Sequence, residues 1–222
     1  MPINFGKDIA PRQIQSIASY DYVDIAEGTG FVVFHGASTK TSSGGFIYEL
    51  RKSPYYSDQI ASGGINVGED DLKILDLDFD VEFIKPQIIA GKSLINIPLL
   101  VSGSAAASSY DGYVTCAVQK VSEGAETELF ALTSGSLTHS AQSKQHKYSA
   151  IQANLPRTHF KANDILRLQV QLYGRGFGAN TAHVLMGMDP NNRTQSGANE
   201  TDLKWSEGES DLQFHVPFRL NT

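Results

Sequence analysis

Acidic and apolar residues alternate without a break along one segment: Asp76, Asp78, Asp80 and Glu82 take one phase, Leu77, Phe79, Val81 and Phe83 the other. Successive side chains of an extended chain point to opposite faces, so this alternation predicts a strand with one side in a core and one in water. Runs rich in β-branched and aromatic residues, bounded by Gly, Ser or Asp, predict further strands over 94–101, 113–121, 126–132, 165–173, 183–188 and 212–220. Nearer the start, 30–36 and 45–50 flank the turn-rich 37–44, the pattern of a hairpin with a longish loop. Counted from residue 30, the pattern predicts an all-β chain of eight or nine strands, an antiparallel β-sandwich of jelly-roll type, with an open antiparallel barrel as the alternative.

The first 27 residues differ, because Ile14, Ile17 and Ala18 sit at helical spacing and Pro11 suits only a first turn. We therefore divide the chain into an N-terminal arm or docking segment, 1–27, and a β domain, 28–222. Within the β domain, 189–200 is the most polar stretch, and its Pro, Asn and Gly content predicts a long exposed loop of the kind that meets partners.

Ordinary apolar and charged fractions, 41% and 19%, predict a folded chain. A net charge of −6 lacks the clustered cations that phosphate backbones require, so no nucleic-acid partner is expected. The start has no apolar stretch of leader type, and no run nears the roughly 18 apolar residues of a membrane span, so no membrane partner is expected and synthesis is placed in the cytoplasm. Cys116 is the single cysteine, in a setting that reads as a core strand.

The acids from Asp76 to Glu82 are hard oxygen ligands, yet they lie in a line and do not wrap an ion, so a solvated sheet face is expected in place of a calcium site. Gly174, Gly176 and Gly178 are read as supplying positive φ in a turn between 173 and 181. His35, His139, His146, His159, His183 and His215 are scattered without zinc spacing, and no Gly-x-Ser-x-Gly elbow occurs. No catalytic residue, metal ligand or cofactor is therefore assigned. Tyr20, Tyr22, Tyr55, Tyr56, Tyr110 and Trp205 fall outside the alternation and suit either sugar stacking or the capping of a core or subunit contact. Loop placement and chemistry select Asp189, Asn191, Asn192, Arg193 and Trp205 as the ligand or partner residues.

The segment Gly28–Gly36, the alternating Asp76–Phe83 and the closing Phe214–Leu220 together resemble the small jelly-roll virion proteins of tailed phages and related viruses: capsid decoration proteins, head fibres and receptor-binding tips. The resemblance implies a non-enzymatic virion structural protein, made in the host cytoplasm, that decorates or stabilises a capsid or forms a fibre or tail component. It further implies capsid or other virion proteins as partners, a homo-oligomer with a trimer favoured, and an arm that docks on the particle. It brings no motif at fixed spacing, so no site residue is carried over. The alternatives are a carbohydrate-binding module or adhesin for a glycan receptor, and a β-sandwich hydrolase or lyase.

Overall fold

The computed structural model describes residues 29–53, 56–67, 71–103, 110–139, 145–176, 181–193 and 209–219. The arm at 1–27, with Tyr20 and Tyr22, lies outside the described residues, as do Tyr55 and Trp205. Among the described residues the regular elements are all strands: β1 (Thr29–Lys40), β2 (Phe46–Arg51), β3 (Ala61–Val67), β4 (Leu72–Glu82), β5 (Gln87–Gly103), β6 (Tyr110–Ser122), β7 (Ala125–Thr133), β8 (Leu137–His139), β9 (Gln145–Phe160), β10 (Ile165–Gly176), β11 (Thr181–Gly187) and β12 (Gln213–Arg219).

The all-β expectation holds, but the described residues alone form twelve strands where eight or nine were expected. The additions are those whose apolar contrast is weakest. In β9 the inward positions are Ser149, Ile151, Ala153 and Leu155, so two of the four are too small to mark an alternation. In β3 a glycine is required by space: a Cβ on Gly63 would run into the carbonyl oxygen of Val184 and the Cα of Leu185 on the paired strand β11. The hairpin of β1 and β2 closes over a shorter turn than expected, Thr41 to Gly45, with Gly44 at φ 89°.

Hydrogen bonding runs along the path β3-β11-β5-β12-β1-β2-β4-β10-β6-β7, with β9 branching from β5 and β8 from β6. The sheet is mixed: β2 and β4 meet in parallel at one register pair, Glu49 opposite Asp80, while the other described pairings are antiparallel. Strands remote along that path approach one another, β10 against β11, β5 against β6 and β7 against β9, so the path turns over a shared core. Into it go Phe34 from β1, Phe79 from β4, Ile95 from β5, Val118 from β6, Leu168 from β10 and Phe214 from β12. Phe83 stands edge-on to Phe160 at 5.1 Å and to Phe218 at 6.0 Å, geometry that adds about 0.5–1.5 kcal/mol per pair beyond area burial. Cys116 is buried in the same core, and its desolvation pushes the thiol up to about 12.

The glycine run expected as a turn instead continues β10, with Gly174 opposite Gly112 and Gly176 opposite Tyr110. Across the pair, Gly112 is held to glycine by close approach: a Cβ there would lie 2.9 Å from methyls of both Val101 and Val184. Gly178 lies outside the described residues.

Candidate functional site

Because β10 lies between β4 and β6, its register sets rows of outward side chains across the three strands. Arg167 stands between Asp80 and Gln119, Gln169 between Asp78 and Ala117, and Gln171 between Asp76 and Thr115. A register shift after Leu172 brings Lys73, not Ile74, opposite Tyr173, and Tyr113 flanks that tyrosine on its other side. A bulge of this kind re-aims the residues beyond it. Here it turns an ammonium, where a regular ladder would turn an isoleucine, toward the tyrosines.

These side chains are fixed by one another. Arg167 grips Asp80 through Nε and Nη2, each at 2.8 Å, and its Nη1 reaches Glu126 at 2.6 Å and Asp78 at 3.1 Å. Asp76 accepts from Lys73 Nζ at 2.7 Å, Gln171 Nε2 at 3.1 Å and Gln169 Nε2 at 3.3 Å. The hydroxyl of Tyr173 donates to Gln171 Oε1 at 3.1 Å, and the rings of Tyr113 and Tyr173 stack at 5.0 Å with 2° between their planes. Beyond them Arg175 pairs with Asp111 at 3.0 Å and with Asp71 at 3.7 Å.

The acidic strip is thus a sheet face in which each aspartate meets a cation or carboxamide, and among the described residues no group of three or more His, Cys, Asp or Glu is placed to hold a metal ion. Burial raises the Asp78 carboxyl, with Asp80, Asp76 and Glu126 adding to the rise against the pull of Arg167. The Tyr113 phenol is raised by burial and then by Asp71. At the far end of the face, where β2 and β4 share their single register pair, a groove of about 360 Å³ opens between Ile47, Glu49 and Arg51 on one side and Asp80, Glu82 and Ile165 on the other. From Asp80 to Lys73 the strand covers roughly 20–24 Å, so groove and tyrosine pair lie at opposite ends of one strip.

The residues selected from sequence come together differently from expectation. Asp189 was expected on an exposed loop but is fully buried; its carboxylate accepts from Arg193 N at 2.9 Å, Arg193 Nε at 2.8 Å and Asn191 N at 3.4 Å. Arg193 also donates to the Ser57 carbonyl and lies 5.0 Å over the Tyr56 ring, while Asn192, at φ 55°, accepts from Ser210 N at 2.6 Å. Four of the five therefore form a knot that ties the chain after β11 to residues 57 and 210, with Asn191 joining through its backbone N–H while its Nδ2 is buried without a hydrogen-bond partner, and the fifth, Trp205, is outside the described residues. A buried carboxylate satisfied from within its own turn is a structural device.

A second gathering lies on the outward side of β1 and β12. His35 Nδ1 is 2.9 Å and 3.0 Å from the two Asp211 oxygens, Gln213 Nε2 donates to Asp211 at 2.8 Å, and His215 Nε2 is 3.3 Å from Gln213 Oε1. Histidines that are far apart in sequence are brought into one hydrogen-bonded row, and burial followed by the charge of His35 lowers the His215 imidazole.

No family model and no curated protein matches the chain. Solved structures do. An α-amino acid ester hydrolase is 12% identical with a TM-score of 0.47, over 83% of this chain and 36% of that one. An aminopeptidase from a marine sediment Thaumarchaeota archaeon is 9% identical with a TM-score of 0.43, over 84% and 37%. A structure of infectious bursal disease virus, Gx strain, is 8% identical with a TM-score of 0.31, over 83% and 45%. The chain spans a little over a third of the length of the two enzymes. These neighbours correct the expectation of a chain set apart from enzymes: hydrolases stand among the structures it is similar to, beside a viral one.

Proposed function

We propose that the chain is a two-layer, jelly-roll-like β-sandwich that binds an extended glycan along the outward face of β4, β10 and β6. The two-layer reading is supported by the approach of β10 to β11 and of β7 to β9, strands far apart on the hydrogen-bonded path. A sugar ring has an apolar C–H face and a rim of hydroxyls, so it calls for an aromatic surface beside paired donors and acceptors. The carrying observation is the Tyr113–Tyr173 stack set among Lys73, Gln171, Arg175 and Asp111. The stack uses one face of each ring, Lys73 flanks Tyr173 on its other side, and both tyrosines remain partly exposed. The polar neighbours are already ordered by their own hydrogen bonds, so a ligand meets donors and acceptors whose freedom is spent.

The test is a glycan screen followed by calorimetry on wild type, Tyr173→Ala and Arg175→Ala. Loss of the ring is expected to weaken binding tenfold or more, about 1.4 kcal/mol. Retention of full affinity by both variants, or no saccharide bound at all, would overturn the reading. Counting reducing ends after incubation separates holding a glycan from cutting it, and release of new ends would move the chain to the hydrolase alternative.

Assembly as a virion component, with capsid or other virion proteins as partners, is the second reading. It is favoured by the uncharged stretch 148–155 of the edge strand β9, which bears on self-association whatever the ligand.

A further inference from the structure

In an antiparallel edge strand, alternate residues turn both N–H and C=O away from the sheet, and proteins blunt such edges with charges, proline or bulges. Two edges of this molecule differ in that protection. β7 pairs with β6 on one side and exposes Glu126 and Glu128, so a copy of β7 laid against it would set carboxylate near carboxylate. β9 pairs with β5 over nearly its whole length; between Lys147 at one end and Pro156 and Arg157 at the other, its free side from Tyr148 to Leu155 reads Tyr, Ser, Ala, Ile, Gln, Ala, Asn, Leu, without a charge or a proline. Among the described residues that side carries no other backbone pairing.

We infer that β9 pairs antiparallel with β9 of a second copy of this chain, joining two sheets edge to edge about a two-fold axis. The occupant must match an alternation in which Ser149, Ile151, Ala153 and Leu155 are buried while Ala150, Gln152 and Asn154 are exposed. The strand itself supplies that match, because a two-fold axis normal to the sheet keeps inward residues inward, and an isologous contact closes at two copies. Inward opposite inward requires a window with an odd number of residues, and 149–155 give a ladder of about 24 Å at ~3.4 Å per residue, with residue 149 opposite 155 and 151 opposite 153. β7 approaches β9, and its Leu132 is 45% exposed.

Sedimentation of the full chain is expected to give twice the chain mass. The pair Ala150→Lys and Gln152→Lys, both at exposed positions, is expected to halve it with an unchanged circular dichroism spectrum, whereas Glu128→Lys on β7 leaves the doubled mass intact. As a check that needs no mutation, exchange of those amides between 149 and 155 that face away from β5 should slow as wild-type concentration rises. A wild-type monomer, a threefold mass, a doubled mass that survives the two lysines, or exchange independent of concentration would each overturn the inference. None of these outcomes depends on whether a glycan binds.

Discussion

The outward face of β4, β10 and β6 and the outward face of β1, β12, β5 and β9 arise from the same alternation, yet they are occupied in opposite ways. On the first, Arg167 alone reaches Asp78, Asp80 and Glu126, and Asp76 gathers Lys73 and two glutamines. On the second, Phe31, Leu94 and Tyr148 are exposed, the neighbours Asn96, Ala150 and Gln152 are uncharged, and the charges stand apart: Lys92 and Arg219 singly, Glu209 on the Tyr148 hydroxyl, and the row of His35, Asp211 and His215. A face cross-linked by charge pairs stays hydrated and fixed, which suits a polar ligand. A face with apolar residues and few charges suits another protein surface.

The largest effect should come from removing what both faces share. Phe79 is fully buried beneath Asp78 and Asp80 and stands edge-on to Tyr48 at 5.5 Å, so Phe79→Ala is expected to lower unfolding free energy by about 3–5 kcal/mol in urea titration and to weaken ligand binding and self-association together.

The two sides should next separate by pH. At the end of the charged side, Asp164 accepts from Ser122 Oγ at 2.6 Å, Lys161 N at 2.7 Å and Lys120 Nζ at 2.9 Å. Burial alone would raise this carboxyl, but the three donors outweigh it and hold it at about 2, below the ordinary 3.8. A depressed carboxyl contributes stability that is complete above its unfolded value and is lost as pH falls toward 2. Urea midpoints of wild type should therefore drop across that acid window, and those of Asp164→Asn should drop less.

The smallest effect belongs to the histidine side. His215 is lowered from 6.5, first by burial and then by His35, so its neutral form is favoured in the fold. Stability from this term is present above the unfolded value and declines as pH falls below it, and His215→Gln should flatten the wild-type midpoint between neutral and mildly acidic pH.

How much of this was legible follows from which signals are local. The strand from Asp76 onward declared itself because both phases are chemically pure, whereas its first residues, from Leu72, did not, because the adjacent apolars Ile74 and Leu75 break the alternation at the bulge. β9 stayed hidden because Ser149 and Ala153 occupy inward positions that larger residues usually fill. The tyrosine pair was beyond local reading, since Tyr113 and Tyr173 become neighbours only through the register of β6 with β10. Asp189 misled for a related reason: loop-forming composition around it was plain, but the closure of Arg193 onto its carboxylate is a matter of side-chain geometry.

The most direct measurement is backbone amide shift mapping of the full chain as the saccharide found in the screen is added. The account predicts that perturbed amides concentrate on β4, β6 and β10 around Tyr113, Tyr173 and Arg175, with those of β1 and β12 unmoved. Perturbations that instead cluster around His35, Leu94 and His215 would contradict it.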